Sequence, residues 1–138
     1  MAVNDDRPVR VPDSEKITIN LGFVDLGQVD LLVRDGFYAT RTDFIRTAIR
    51  NQVERHAEPL RHSMARRTLQ LGLSHFSREE LEAARAADAP LHIGVLGLAS
   101  IARDVSPALA RAAIASITVL GALHASPEVR AALADRMR

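Results

Sequence analysis

Near the start of the chain, Lys16-Ile17-Thr18-Ile19-Asn20-Leu21 alternates polar and apolar side chains. This is the period-two pattern of a strand with one exposed and one buried face. A lone six-residue strand lacks a hydrogen-bonding neighbour and a cover for its apolar face, so the pattern predicts a partner strand and helices packed on one side. The period then lengthens. Between Asp25 and Asp35, Leu26, Val29, Leu32 and Val33 fall at helical spacing, with Gly36 as a stop signal. After the short turn Phe37-Tyr38-Ala39, Thr40 is a good N-cap, and Asp43 sits in the first turn where an acid favours the helix dipole. Phe44, Ile45, Ala48, Ile49, Gln52 and Val53 carry a second helix to about His56. Taken alone, the alternation at 16–21 also fits the exposed edge of some other sheet.

Pro59 has no N–H and disfavours helical geometry at Glu58, so a module boundary is expected near it. Beyond it Leu60 and Met64 suit a short helix, and Leu69, Leu71 and Leu73 alternate with Gln70 and Gly72 as in a strand. Ser77-Arg78-Glu79-Glu80 is a capping box, flanked by Phe76 and Leu81 in the staple positions, and predicts a helix from about Arg78 to Ala87 stopped at Ala89-Pro90. Val95-Leu96-Gly97 recurs as Val119-Leu120-Gly121. Likewise Ser106-Pro107-Ala108 recurs as Ser126-Pro127-Glu128, each ahead of an Ala-rich segment. Both copies pair an apolar, strand-like run with a Ser-capped, Pro-started helix. Two copies are few for a self-sufficient stack, which predicts completion by another chain at open strand edges. Chance similarity in an Ala/Val/Leu-rich segment is the alternative.

Composition narrows the classes. A chain of 138 residues suits one ordinary domain or two small ones. The reading here is a flexible arm over residues 1–14, carrying Arg7 and Arg10, a module over 15–58, and a C-terminal αβ domain over 59–138. With 47% hydrophobic and 25% charged residues the chain is globular. The absence of cysteine excludes disulfides and thiol catalysis, and the lack of a signal core or spanning segment points to the cytoplasm. A net charge of +1 excludes a nonspecific polycation, yet Arg41, Arg46, Arg50, Arg55, Arg61, Arg66 and Arg67 face only Asp43, Glu54 and Glu58 in their stretch. That excess suits a phosphate-facing flank, or a solvated helix face for the later arginines.

The strand KITINL, the Gly36 turn and Thr40-Arg41-Thr42-Asp43-Phe44-Ile45-Arg46-Thr47-Ala48-Ile49-Arg50 together resemble the ribbon-helix-helix module of small bacterial regulators of the Arc, MetJ and CopG type. Gly22-Phe23-Val24-Asp25 departs from that pattern, which more often has a Pro and acids at the start of the first helix. The resemblance implies an obligately dimeric strand-helix-helix module, which together with the small αβ domain and two-copy βα-like repeat read from the later residues makes the chain α+β. It implies a sequence-specific transcriptional regulator, a homodimer whose paired strands enter the major groove of double-stranded DNA, and nucleoid association when bound. Lys16, Thr18 and Asn20 would then meet base edges, and Thr40, Arg41, Thr42 and Arg46 the phosphates. The C-terminal domain would build a higher homo-oligomer, sense a ligand or bind a partner.

Other chemistry finds little support. His56, His62, His75, His92 and His124 are widely spaced, and although nickel-responsive repressors have a similar plan, none of the five carries over as a metal ligand. No cofactor is expected. No nucleophile with an adjacent base, carboxylate pair or phosphate-binding glycine loop is evident, so an enzyme is not expected. The rival readings are an antitoxin-like autoregulator gripping a toxin through its C-terminal part, and a scaffold that keeps the module only to dimerise.

Overall fold

The computed structural model describes residues 14–138, so the expected arm, with Arg7 and Arg10, lies outside the described residues apart from Ser14. The protein is α+β, with helices and a three-stranded parallel sheet. It divides into two compact units, Lys16–Ala65 and Arg66–Arg138.

In the first unit, α1 (Phe23–Arg34) and α2 (Arg41–Arg55) follow the expected order, and α3 (Ala57–Arg67) begins after a break at His56. Pro59 follows that break. It occupies the first turn of α3, where a missing N–H costs nothing. The stop at Gly36 is a Schellman turn: with φ at +85°, Gly36 donates its N–H to Val33 and Phe37 donates to Leu32. Helix α1 starts two residues earlier than the apolar spacing indicates, because Phe23 and Val24 are 92% and 75% exposed and so add nothing to an inward-facing stripe. Residues 16–21 pair with no strand among the described residues, and all six are exposed. Val29 is the one fully buried side chain of this unit. So small an interior offsets little of the entropy of ordering the unit's helices.

The second unit alternates strand and helix: β1 (Gln70–Phe76), α4 (Arg78–Ala86), β2 (Leu91–Ile101), α5 (Pro107–Ala113), β3 (Ile114–His124) and α6 (Pro127–Ala132), closed by a 3-10 turn over Ala134–Arg136. Strand order is β1-β2-β3, all parallel. Each helix starts at a serine whose Oγ accepts an N–H three residues on: Ser77 from Glu80 at 3.2 Å, Ser106 from Leu109 at 3.1 Å and Ser126 from Val129 at 3.2 Å. Successive helices pack on one another and on one face of the sheet. There Leu81, Leu109, Val129 and Leu133 close over Ile93, Val95, Ala99, Ile101 and Ile117.

The two triplets noted in the sequence lie side by side, Val95 against Val119, Leu96 against Leu120 and Gly97 against Gly121. The row continues into β1, where Leu71 and Gly72 pair with Leu96 and Gly97. A row of glycines at φ of +122°, +144° and +120° thus crosses all three strands. At Gly97 a Cβ would stand 2.2 Å from the Gly72 carbonyl oxygen, and at Gly121 it would stand 2.1 Å from that of Gly97, so neither position admits a side chain.

The outer edge of β3 is not open. The Arg138 N–H donates to the Ile117 carbonyl at 3.0 Å, Met137 bridges Ile117, and the Arg130 guanidinium donates to the Leu123 carbonyl at 2.6 Å. Arg111 fastens the chain end by donating to the Ala132 carbonyl and the Asp135 carboxylate. Among the described residues, the outer edge of β1 is the one left for strand pairing.

Candidate nucleic-acid interface

Two features of the first unit could serve a partner: the polar side of residues 16–21 and the start of α2. Lys16, Thr18 and Asn20 are exposed, as the alternation requires. Their apolar neighbours are exposed as well, Ile17 by 72%, Ile19 by 59% and Leu21 by 41%, so the face expected to be buried has no cover within one chain. Ile19 and Leu21 join Val29, Leu32, Phe44, Ile45 and Ile49 around an open apolar groove of about 610 Å³. Among the described residues of the single chain this groove stays open. Two copies with antiparallel strands would fill it with each other's apolar side chains and leave Lys16, Thr18 and Asn20 outside.

The start of α2 is built as the sequence suggests. Thr40 Oγ1 accepts the Asp43 N–H at 3.1 Å, and Asp43 reaches back to accept the Ala39 N–H at 3.0 Å. Arg41 and Thr42 contribute first-turn N–H groups that no intrahelical acceptor reaches, the geometry that binds a phosphate oxygen. Thr42, Arg46 and Arg50 follow at four-residue spacing along one exposed or half-exposed helix face. Phe44 turns the other way, edge-on to Tyr38 with ring centroids 5.0 Å apart.

The Arg41 guanidinium is engaged within the chain. It forms a two-point pair with Asp30 on α1, Nε to Oδ1 at 2.6 Å and a terminal nitrogen to Oδ2 at 2.7 Å. That hydrogen bond holds the Asp30 carboxyl below its ordinary value and, reciprocally, raises Arg41. The pair ties α1 to α2 and occupies a guanidinium that a phosphate would otherwise take. Sequence reasoning missed Asp30, since nothing in a one-dimensional pattern pairs residues eleven apart on two helices.

The histidines do not converge on a metal site: among the described residues no three His, Asp or Glu side chains are grouped as ligands. His56 is exposed at the break between α2 and α3 and His62 is exposed on α3, while His75 and His92 bond to Ser100 and Ser116 on neighbouring strands at 2.7 and 2.8 Å. Nor, among the described residues, is any helix long and apolar enough to cross a membrane.

A family model described as the Ribbon-Helix-Helix transcriptional regulator family matches residues 12–130. No curated protein and no solved structure matches the chain. The matched span runs past the two-helix module and through β1, β2 and β3 into α6, well beyond the third of the chain that carries the resemblance in the sequence.

Proposed function

The chain belongs to the Ribbon-Helix-Helix transcriptional regulator family, and on that premise we propose that it is a sequence-specific DNA-binding regulator whose C-terminal unit serves self-association or regulation. The family is one of regulators and implies DNA binding and dimerisation. The observation that carries the reading for this chain is the first unit's unfinished core. Its strand-like segment exposes both faces and its helices line an empty apolar groove, a combination that a second copy resolves.

In the dimer the two KITINL segments form the ribbon. Lys16, Thr18 and Asn20 offer amine, hydroxyl and amide groups to base edges in the major groove, which is wide enough for two strands. Thr40, the N–H groups of Arg41 and Thr42, and the Arg46 side chain grip the flanking phosphates and set the ribbon's register. Arg41 contributes its backbone first. Its guanidinium reaches a phosphate after exchanging Asp30 for it.

Genome-wide mapping of the DNA bound by the full chain tests the proposal. The expected result is a limited set of sites sharing a short, two-fold symmetric sequence, as a symmetric ribbon requires. Uniform or absent occupancy contradicts it.

A further inference from the structure

The sheet of the second unit is all parallel, yet among the described residues of that unit helices cover one face only. All-parallel sheets are otherwise almost always covered on both faces, because their strands carry apolar side chains on both. The uncovered face here follows that composition. Leu71, Leu96 and Leu120 form one row across the three strands, and Leu73, Leu98 and Ala122 form the next. Leu71 is 74% exposed and Leu73 78%. Polar rows frame the leucines at each end, His92 with Ser116 on one side and His75, Ser100 and His124 on the other.

We infer that this leucine face packs against the same face of a second copy of the chain, forming a self-association surface separate from the N-terminal groove. Three observations select that occupant. The rows carry no aspartate, glutamate, lysine or arginine, so the face can meet its own copy without like-charge repulsion, whereas nucleic acid finds no cation there. Strand spacing and rise give a footprint of roughly 400 Å², about half of the roughly 800 Å² per partner of a standard interface. A face that small recruits a foreign protein from dilute solution poorly. A second copy, however, is already tethered through the dimeric N-terminal module at an effective concentration that can reach the millimolar range. Finally, Met137 and Arg130 take up the β3 edge, and among the described residues of this unit the leucines exposed to solvent, Leu71, Leu73 and Leu120, lie on this face.

The inference rests on the dimeric reading of the module, and its test separates the two. The chain has no cysteine, so single cysteines report unambiguously. Leu96→Cys stands in the middle row of the middle strand, beside any two-fold axis through the face. Stacked sheets lie ~10 Å apart, too far for a direct disulfide, so a short bis-maleimide spacer is the probe. Full-length Leu96→Cys is expected to cross-link into two-chain species in most molecules, while Ala83→Cys on the exposed side of α4 does not. Adding Leu71→Lys and Leu73→Lys, both at solvent-facing positions that leave the helix-covered core intact, should reduce cross-linking to the Ala83→Cys level with an unchanged circular dichroism spectrum. Leu120→Glu on the third strand should do the same. The mass of each sample is read by sedimentation equilibrium. A dimeric or larger mass without Leu96 cross-linking overturns the leucine-face contact alone, and slow maleimide labelling of Leu96→Cys would then mean that something else covers the face. A monomeric mass overturns the module's dimerisation together with this inference.

Discussion

On the proposed reading, the Asp30 pair competes with DNA for the Arg41 guanidinium. Replacing Asp30 with asparagine keeps the shape but removes the charge that holds the guanidinium, so Asp30→Asn is expected to bind all duplexes more tightly and with a steeper salt slope, as one more cation reaches a phosphate. Titrating affinity against salt checks this; an unchanged slope would mean that Arg41 meets no phosphate. The same pair has a pH signature. The Asp30 carboxyl is lowered from 3.8 chiefly by the Arg41 hydrogen bond, and Asp135 likewise by Arg111. A depressed folded-state value means that the contribution is complete above the ordinary carboxylate value and is lost as pH falls through the lowered one. Both carboxyls should therefore titrate below the ordinary carboxylate value in a carbon-detected NMR titration, with little effect on stability because both pairs are exposed. A second residue-scale test falls on the glycine row. Gly97→Ala drives a Cβ into the Gly72 carbonyl at a φ that side chains avoid, and should destabilise the second unit by roughly 2–5 kcal/mol in urea unfolding.

Among the elements, the serine caps were the most legible, because a cap signal is local. Ser77, Ser106 and Ser126 each needed only the residues next to them to be read, and each accepts the expected N–H. Ser106→Ala and Ser126→Ala should each cost about 1 kcal/mol and add independently if the two ends do not couple; thermal melts of the single and double variants measure both points. Signals that depend on facing were harder to read. The start of α1 at Phe23 was hidden because its first residues point to solvent in the single chain. Strand β2 carries apolar residues on both faces, so alternation could not tell the helix-covered side, with Val95 and Ala99, from the leucine side, with Leu96 and Leu98. The place of Leu71-Gly72 beside the two triplets needed the register, since a Leu-Gly pair alone is too short to notice. In the proposed interface, the Thr40 cap at the start of α2 could be read in advance. The Asp30–Arg41 contact could not.

For the whole molecule, the contrast between the two units decides what should be concentration-dependent. The second unit has a contiguous interior around Leu81, Ile114, Ile117 and Leu133. The first buries Val29 and exposes the rest of its apolar side chains in part or in full. By mass action, the helical signal of the first unit should melt at a temperature that rises with protein concentration. A melting temperature flat over a hundredfold range would mean that the module holds together within one chain. Whether the ribbon reads base sequence is decided by fluorescence anisotropy on a mapped site and on a scrambled duplex, comparing the parent with the combined Lys16→Ala, Thr18→Ala and Asn20→Ala variant. Each lost base contact is worth about 1–3 kcal/mol, so the variant should bind the mapped site no better than the scrambled one while remaining a folded dimer. A variant that keeps the parent's preference for the mapped site would contradict the account.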